Sequence, residues 1–208
     1  MASVKVPEQK VILCGEFGVG KSSLFRRYAF NSFVTSTSRQ STLGLDHFNK
    51  EYNVGGKNIR LQLWDTGGME RVASITSSYY KFAEAAILVF SLDNAASFHV
   101  LSQHLLDIVT YAENAKIFLC GNKSDLEGDT PQVTEADMEN FGEQCHNLIS
   151  ATFKTSCKSG EGIDEMFQDI AQQLVQSNRS RMELQAVDTE SFKISNNEEM
   201  PEDPPCLC

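Results

Sequence analysis

The sequence predicts an α/β fold, a mainly parallel sheet covered on both faces by helices, and three observations carry the prediction. Strand-like and helix-like segments alternate along most of the chain. Ala85 to Leu92 (A-A-I-L-V-F-S-L) is one continuous apolar run, the pattern of a parallel strand buried on both faces. Gly15 to Ser22 reads G-E-F-G-V-G-K-S between an apolar run and a helix-compatible one, and that strand-loop-helix setting suits a phosphate-cradling loop.

Taken in order, a short lead (residues 1–8) precedes a buried strand over Gln9 to Gly15 and a helix over Lys21 to Phe30. Asn31 to Ser41 is Ser/Thr-rich and lacks a usable period, so it reads as a mobile loop. Leu45 to Val54 and Lys57 to Asp65 flank Gly55-Gly56, a two-residue hairpin signal, and Ile59, Leu61 and Leu63 alternate in the second strand. Gly67 to Lys81 reads as a loop and a weak helix. Strands follow at Ala85 to Leu92, Ile117 to Asn122 and Leu148 to Ser156. Helices are expected over Ser97 to Ala112, where Phe98, Leu101, Leu105, Ile108 and Val109 recur at helical spacing, over Thr134 to Cys145 and over Ile163 to Val175. Thr134 and Asp137 stand at capping-box positions.

A chain of 208 residues accommodates one substantial core plus tails. The net charge of −10 disfavours nucleic acid as a partner. Residues 182–208 hold seven acids against Lys193, so this stretch carries −6 of the total. Apolar periodicity fades there, and residues 177–208 read as a disordered acidic tail. The six cysteines form no C-x-x-C pair and no cluster with His47, His99, His104 or His146, which points to a reducing, cytosolic environment. No signal peptide or run of about 20 apolar residues is evident, so membrane contact is expected through lipid or a partner.

The phosphate-loop chemistry is specific in its parts. Glycines let successive N–H groups converge on an anion at a helix N-terminus, Lys21 supplies a point charge for the β- and γ-phosphates, and the Ser22 hydroxyl can ligate Mg²⁺. A chance glycine-rich turn is the plain alternative, and further motifs weigh against it. Asn122-Lys123-Ser124-Asp125 follows one strand and Ser156-Cys157-Lys158 another. A carboxylate at Asp125 can accept hydrogen bonds from guanine N1–H and its exocyclic amine, donors that adenine does not present together.

The spacing of phosphate loop, Thr42, Asp65-Thr66-Gly67-Gly68, Asn122-Lys123-Ser124-Asp125 and Ser156-Cys157-Lys158 resembles the Ras-like small GTPases, over about residues 10–176. Within them, Ile75 to Tyr80, Ser22-Ser23-Leu24 and the terminal Cys206-Leu207-Cys208 look like the Rab branch. The resemblance implies a three-layer P-loop G domain over residues 9–176, with a six-stranded, mostly parallel sheet, that binds GTP or GDP with Mg²⁺. It implies that Phe17, Gly18, Val19, Gly20, Lys21, Ser22 and Ser23 line the phosphates, with Ser22 and Thr42 on the metal, Asp65 holding it through water, and the Gly68 N–H sensing the γ-phosphate. Phe33 matches the aromatic that packs on guanine. Asn122, Lys123 and Asp125 read the base, and Ser156, Cys157 and Lys158 close over it.

The same resemblance implies a monomer that recruits effector proteins through its switch loops in vesicle trafficking. Its expected partners are an exchange factor and the GDP-dissociation and prenylation machinery. Its expected place is the cytoplasmic face of an intracellular membrane, cycling with cytosol. Cys206 and Cys208 match a Cys-X-Cys end that receives two prenyl groups, and a tail this acidic gains nothing from anionic lipid.

Four features depart from the family. Met69 stands where a glutamine orients the attacking water, and a thioether cannot do so. Phe17 occupies a phosphate-loop position that the family keeps small, which should obstruct a partner's arginine finger. Both imply slow hydrolysis, and the alternative is a GTP-locked membrane-anchored scaffold. Phe33 to Thr42 is longer than the family's segment and carries Arg39 where heterotrimeric G-protein α subunits place a cis arginine, although a solvated loop arginine is the plainer reading. His47 replaces the Phe of the Rab hydrophobic triad, whose other members match Trp64 and Tyr79. A P-loop kinase or ATPase would have no use for Asn122 to Asp125.

Overall fold

The computed structural model describes residues 6–35, 46–65, 77–126, 132–145 and 148–177. The expectations for Arg39, Thr42, Gly68, Met69, Cys206, Cys208 and the acidic tail fall outside these residues.

Six strands form one sheet: β1 (Glu8–Cys14), β2 (Asp46–Val54), β3 (Lys57–Asp65), β4 (Ala83–Ser91), β5 (Lys116–Asn122) and β6 (Ile149–Thr155). Their order is β2-β3-β1-β4-β5-β6, and only β2 and β3 pair antiparallel. The helices are α1 (Lys21–Phe30), α2 (Ser77–Tyr80), α3 (Ala95–His99), α4 (Leu101–Tyr111), α5 (Glu135–Gln144) and α6 (163–177).

Strand alternation divides the core in two. On β1, Val11 and Leu13 face one side while Ile12 and Cys14 face the other; on β4, Ala85, Ile87 and Val89 oppose Ala86, Leu88 and Phe90. The first layer takes Leu24, Phe25 and Tyr28 of α1 with Ile163, Met166, Phe167, Ile170 and Leu174 of α6. The Tyr28 and Phe167 rings lie 4.1 Å apart. The second takes Leu101, Leu105 and Ile108 of α4 and Met138 of α5. Helices cover both sheet faces, which is why the buried stretches of the central strands, Val11 to Cys14, Ala85 to Phe90 and Ile117 to Cys120, are continuously apolar.

The hairpin forms where expected. Val54 pairs with Lys57, and the intervening Gly55 and Gly56 both have positive φ, as a tight turn matching strand twist requires. The capping box is also present: the Thr134 hydroxyl accepts the Asp137 N–H at 3.2 Å, and the Thr134 N–H donates to Asp137 at 2.8 Å. The single helix expected over Ser97 to Ala112 is instead two. Asn94 caps α3 by accepting the Ala96 N–H, which starts the helix earlier, and the backbone turns at Val100 before α4 begins. Val109, expected on the buried stripe, is 41% exposed. The last helix runs two residues beyond Val175.

Candidate functional site

In a parallel sheet all strands end on the same edge, and ligand sites gather there, above the strand from which successive connections leave in opposite directions. Here that strand is β1: the chain passes first to β2 and β3 on one side and later to β4 on the other. The 15–20 loop follows β1, Asp65 ends β3, Asn122 ends β5, and Ser156 follows β6.

The loop is built for close approach. At Gly20 (φ +104) a Cβ would lie 2.3 Å from the Asn122 amide nitrogen, and at Gly15 (φ +135) it would lie 2.1 Å from the Val89 carbonyl oxygen. Phe17 is half-buried and Gly18 exposed, while Val19 turns into the core. Lys21 is only 5% exposed, and its ammonium donates to the carbonyls of Gly15 at 2.7 Å and Glu16 at 2.8 Å. Desolvating an ammonium costs several kcal/mol, roughly, unless it is paired, so the loop's own carbonyls hold the charge in place. Gly20 is the N-cap of α1 and supplies no side-chain cap, and the first turn of the helix holds no acid. Its N-terminal N–H groups and dipole therefore suit an anion.

Asn122 joins this loop to the second motif. Its Nδ2 donates to the Val19 carbonyl at 2.8 Å, and its Oδ1 accepts the Cys157 thiol at 3.2 Å and the Thr155 hydroxyl at 3.4 Å. Cys157 thus lies inside the core, and burial pushes its thiol up to about 12, as it does for Cys14 and Cys120. These are structural, unreactive thiols. Asp125 accepts from the Ser156 hydroxyl at 2.6 Å and pairs with the Lys158 ammonium at 3.5 Å. Lys123, with left-handed backbone (φ 65), reaches Asp93 at 3.5 Å.

The sequence-expected residues Phe17 to Ser23, Asp65, Asn122, Lys123, Asp125 and Ser156 to Lys158 therefore share one sheet edge, and direct hydrogen bonds join Asn122 to the loop and Asp125 to Ser156. Phe33 follows α1 with about a third of its surface exposed and makes no ring contact among the described residues. The metal donors fit a hard cation: the Ser22 hydroxyl opens α1, and the Asp65 carboxylate is buried at the end of β3. Among the described residues no three His, Cys, Asp or Glu side chains gather into a metal cage. Such a pair suits Mg²⁺, which retains water and phosphate oxygens in its shell.

At the exposed edge, His47 stacks on Trp64 with ring centroids 4.7 Å apart. Tyr79 lies beneath, buried, its hydroxyl donating to the Trp64 carbonyl at 3.0 Å and accepting the Leu13 N–H at 3.1 Å. Two residues escaped the sequence reading. Asp93 partners Lys123, and Arg27 of α1 grips the 156–158 loop. Neither belongs to a local pattern, so periodicity and motif spacing gave no signal for them.

The Ras family model matches residues 10–176. Ras-related protein Rab-19 of Mus musculus is 38% identical over 170 residues, covering 81% of this chain and 76% of the relative. Ras-related protein Rab-4A of Rattus norvegicus is 34% identical over 167 residues, covering 80% and 74%. Ras-related protein Rab-4B of Homo sapiens is 35% identical over 159 residues, covering 76% and 72%.

Proposed function

The chain belongs to the Ras family as a divergent Rab-type small GTPase, and from that premise we propose that it is a guanine nucleotide switch with slow intrinsic hydrolysis. The observation that carries the reading is the Asn122 side chain, whose amide bonds the phosphate loop at Val19 while its backbone opens the segment leading to Asp125. One residue thereby sets the spacing between the place for phosphates and the place for the base.

In this reading the N–H groups of Gly18 to Ser23 and the Lys21 ammonium bind the phosphates, and Asp125 accepts from guanine N1–H and the exocyclic amine. Ser22 and Thr42 would hold Mg²⁺, with Asp65 acting through water. When bound, the ion neutralises charge on the β- and γ-oxygens. The Thr42 hydroxyl and the Gly68 N–H would hold the two switch segments in the GTP state and release them after hydrolysis.

Met69 and Phe17 set the expected pace. Without a side-chain amide to orient water, hydrolysis should be slower by about 10²- to 10³-fold. Phe17, half-buried in the loop, would crowd any inserted arginine. No helix among the described residues is long and apolar enough to cross a membrane. Attachment to the cytoplasmic face of an intracellular membrane is assigned to prenyl groups on Cys206 and Cys208, since one lipid chain anchors only marginally. Effectors would read the switch surface beside the His47–Trp64 stack.

Base exchange tests the reading. Asp125→Asn offers a donor and an acceptor where guanine needs two acceptors, while xanthine presents N1–H beside a C2 carbonyl. GDP affinity should fall by about 10²-fold or more and XDP affinity should rise. A variant that keeps its GDP affinity, or a parent protein that prefers ATP, would refute the proposal.

A further inference from the structure

We infer that Arg27 is a positioning residue that fixes the base-closing loop and thereby sets how long, and how selectively, a guanine nucleotide is held. The inference rests on the guanine-nucleotide reading above. Arg27 lies on α1, 130 positions from the loop it grips: its Nε donates to the Cys157 carbonyl at 2.9 Å and its Nη2 to the Lys158 carbonyl at 2.9 Å. Its Nη1 donates to both the backbone and side-chain oxygens of Asn31 at 3.1 Å. A guanidinium is a rigid planar fork, so bonding two consecutive carbonyls fixes the orientation of both peptide planes.

Those planes lead to the base-reading carboxylate. The peptide whose carbonyl Arg27 holds at Lys158 carries the Ser159 N–H, which donates to the Ser156 hydroxyl at 3.1 Å. That hydroxyl donates in turn to Asp125 at 2.6 Å. Arg27 thus stands at the root of a hydrogen-bonded chain that aims Asp125. Its other arm holds Asn31, a left-handed helix end (φ 46, ψ 40) placed two residues before Phe33. One cation therefore steadies the loop that closes over the base and the segment that leads to the aromatic expected to pack against it.

The test follows release of fluorescent GDP and IDP from the full chain. IDP lacks the exocyclic amine, so it reports how much Asp125 contributes. For Arg27→Ala, GDP release should accelerate about tenfold, and the preference for GDP over IDP should shrink. Arg27→Lys keeps the charge, but three N–H donors on one nitrogen cannot serve the four oxygens of Cys157, Lys158 and Asn31 that the planar guanidinium holds, so it should restore only part of the GDP residence time, and it decides the matter if Arg27→Ala fails to fold. The exposed neighbour change Arg26→Ala should behave as the parent. Unchanged GDP release overturns the inference. So does acceleration of GDP and IDP by one common factor, which marks general loosening, and so does full rescue by lysine. A parent protein that holds ATP as well as GDP would sink the function itself, an outcome visible before any variant is made.

Discussion

His104 on α4 shows how far the phosphate loop's influence extends. Its ring lies 3.7 Å from the Glu16 carboxylate, and it feels the charges of Glu16, Lys21 and Asp107. Burial holds its pKa below the usual 6.5 despite the pull of Glu16. A group with a lowered folded pKa binds fewer protons in the native state than in the unfolded one, so it favours the fold at high pH. Stability should therefore fall as pH drops through 6.5 and level off below the folded value. Melting temperatures taken from about pH 7.5 to 5 should show this slope in the parent and a flatter one in His104→Gln. An identical slope in both would assign the pH dependence to other groups. Sequence is least informative for single side chains such as Arg27 and Asp93, whose partners lie far along the chain. The contacts of Arg27 join residues far apart in the chain, and no spacing rule connects α1 to the carbonyls of Cys157 and Lys158.

Elements were more legible, because their signals are local. Gly55-Gly56 between alternating strands, the apolar run of β4 and the Thr134/Asp137 box each encode a backbone conformation within a few residues. The failure at Ser97 to Ala112 has a local cause too: apolar spacing continues across Val100, but Asn94 nucleates its own short helix and the two helices meet at a turn. At the phosphate loop the decisive element is the strand-to-helix turn itself. Gly15→Ala would place a methyl against the Val89 backbone on β4, where neither the loop nor the central strand can give way. A loss of several kcal/mol, roughly, is expected in denaturant unfolding, together with loss of nucleotide binding. A change within about 0.5 kcal/mol, the range of ordinary surface substitutions, would mean that the turn yields to an added methyl.

For the whole molecule, one sheet edge collects the carboxyl ends of β1, β3, β5 and β6, so that phosphate loop, buried acid, base motif and closing loop converge from separate parts of the chain. The motifs and their order were readable because each side chain must follow a strand to reach that edge. How Asn122, Cys157 and Arg27 hold the pieces together required the three-dimensional arrangement. The family fixes the scaffold, and the proposed slow, GTP-leaning behaviour rests on the chain's own departures, Met69 and Phe17. Single-turnover GTP hydrolysis of the parent beside Met69→Gln and the double variant Met69→Gln/Phe17→Ser tests this most directly. A rise of about 10²- to 10³-fold is expected once the amide is restored and the loop cleared; rates that stay equal to the parent in both variants would refute slow hydrolysis set by Met69 and Phe17.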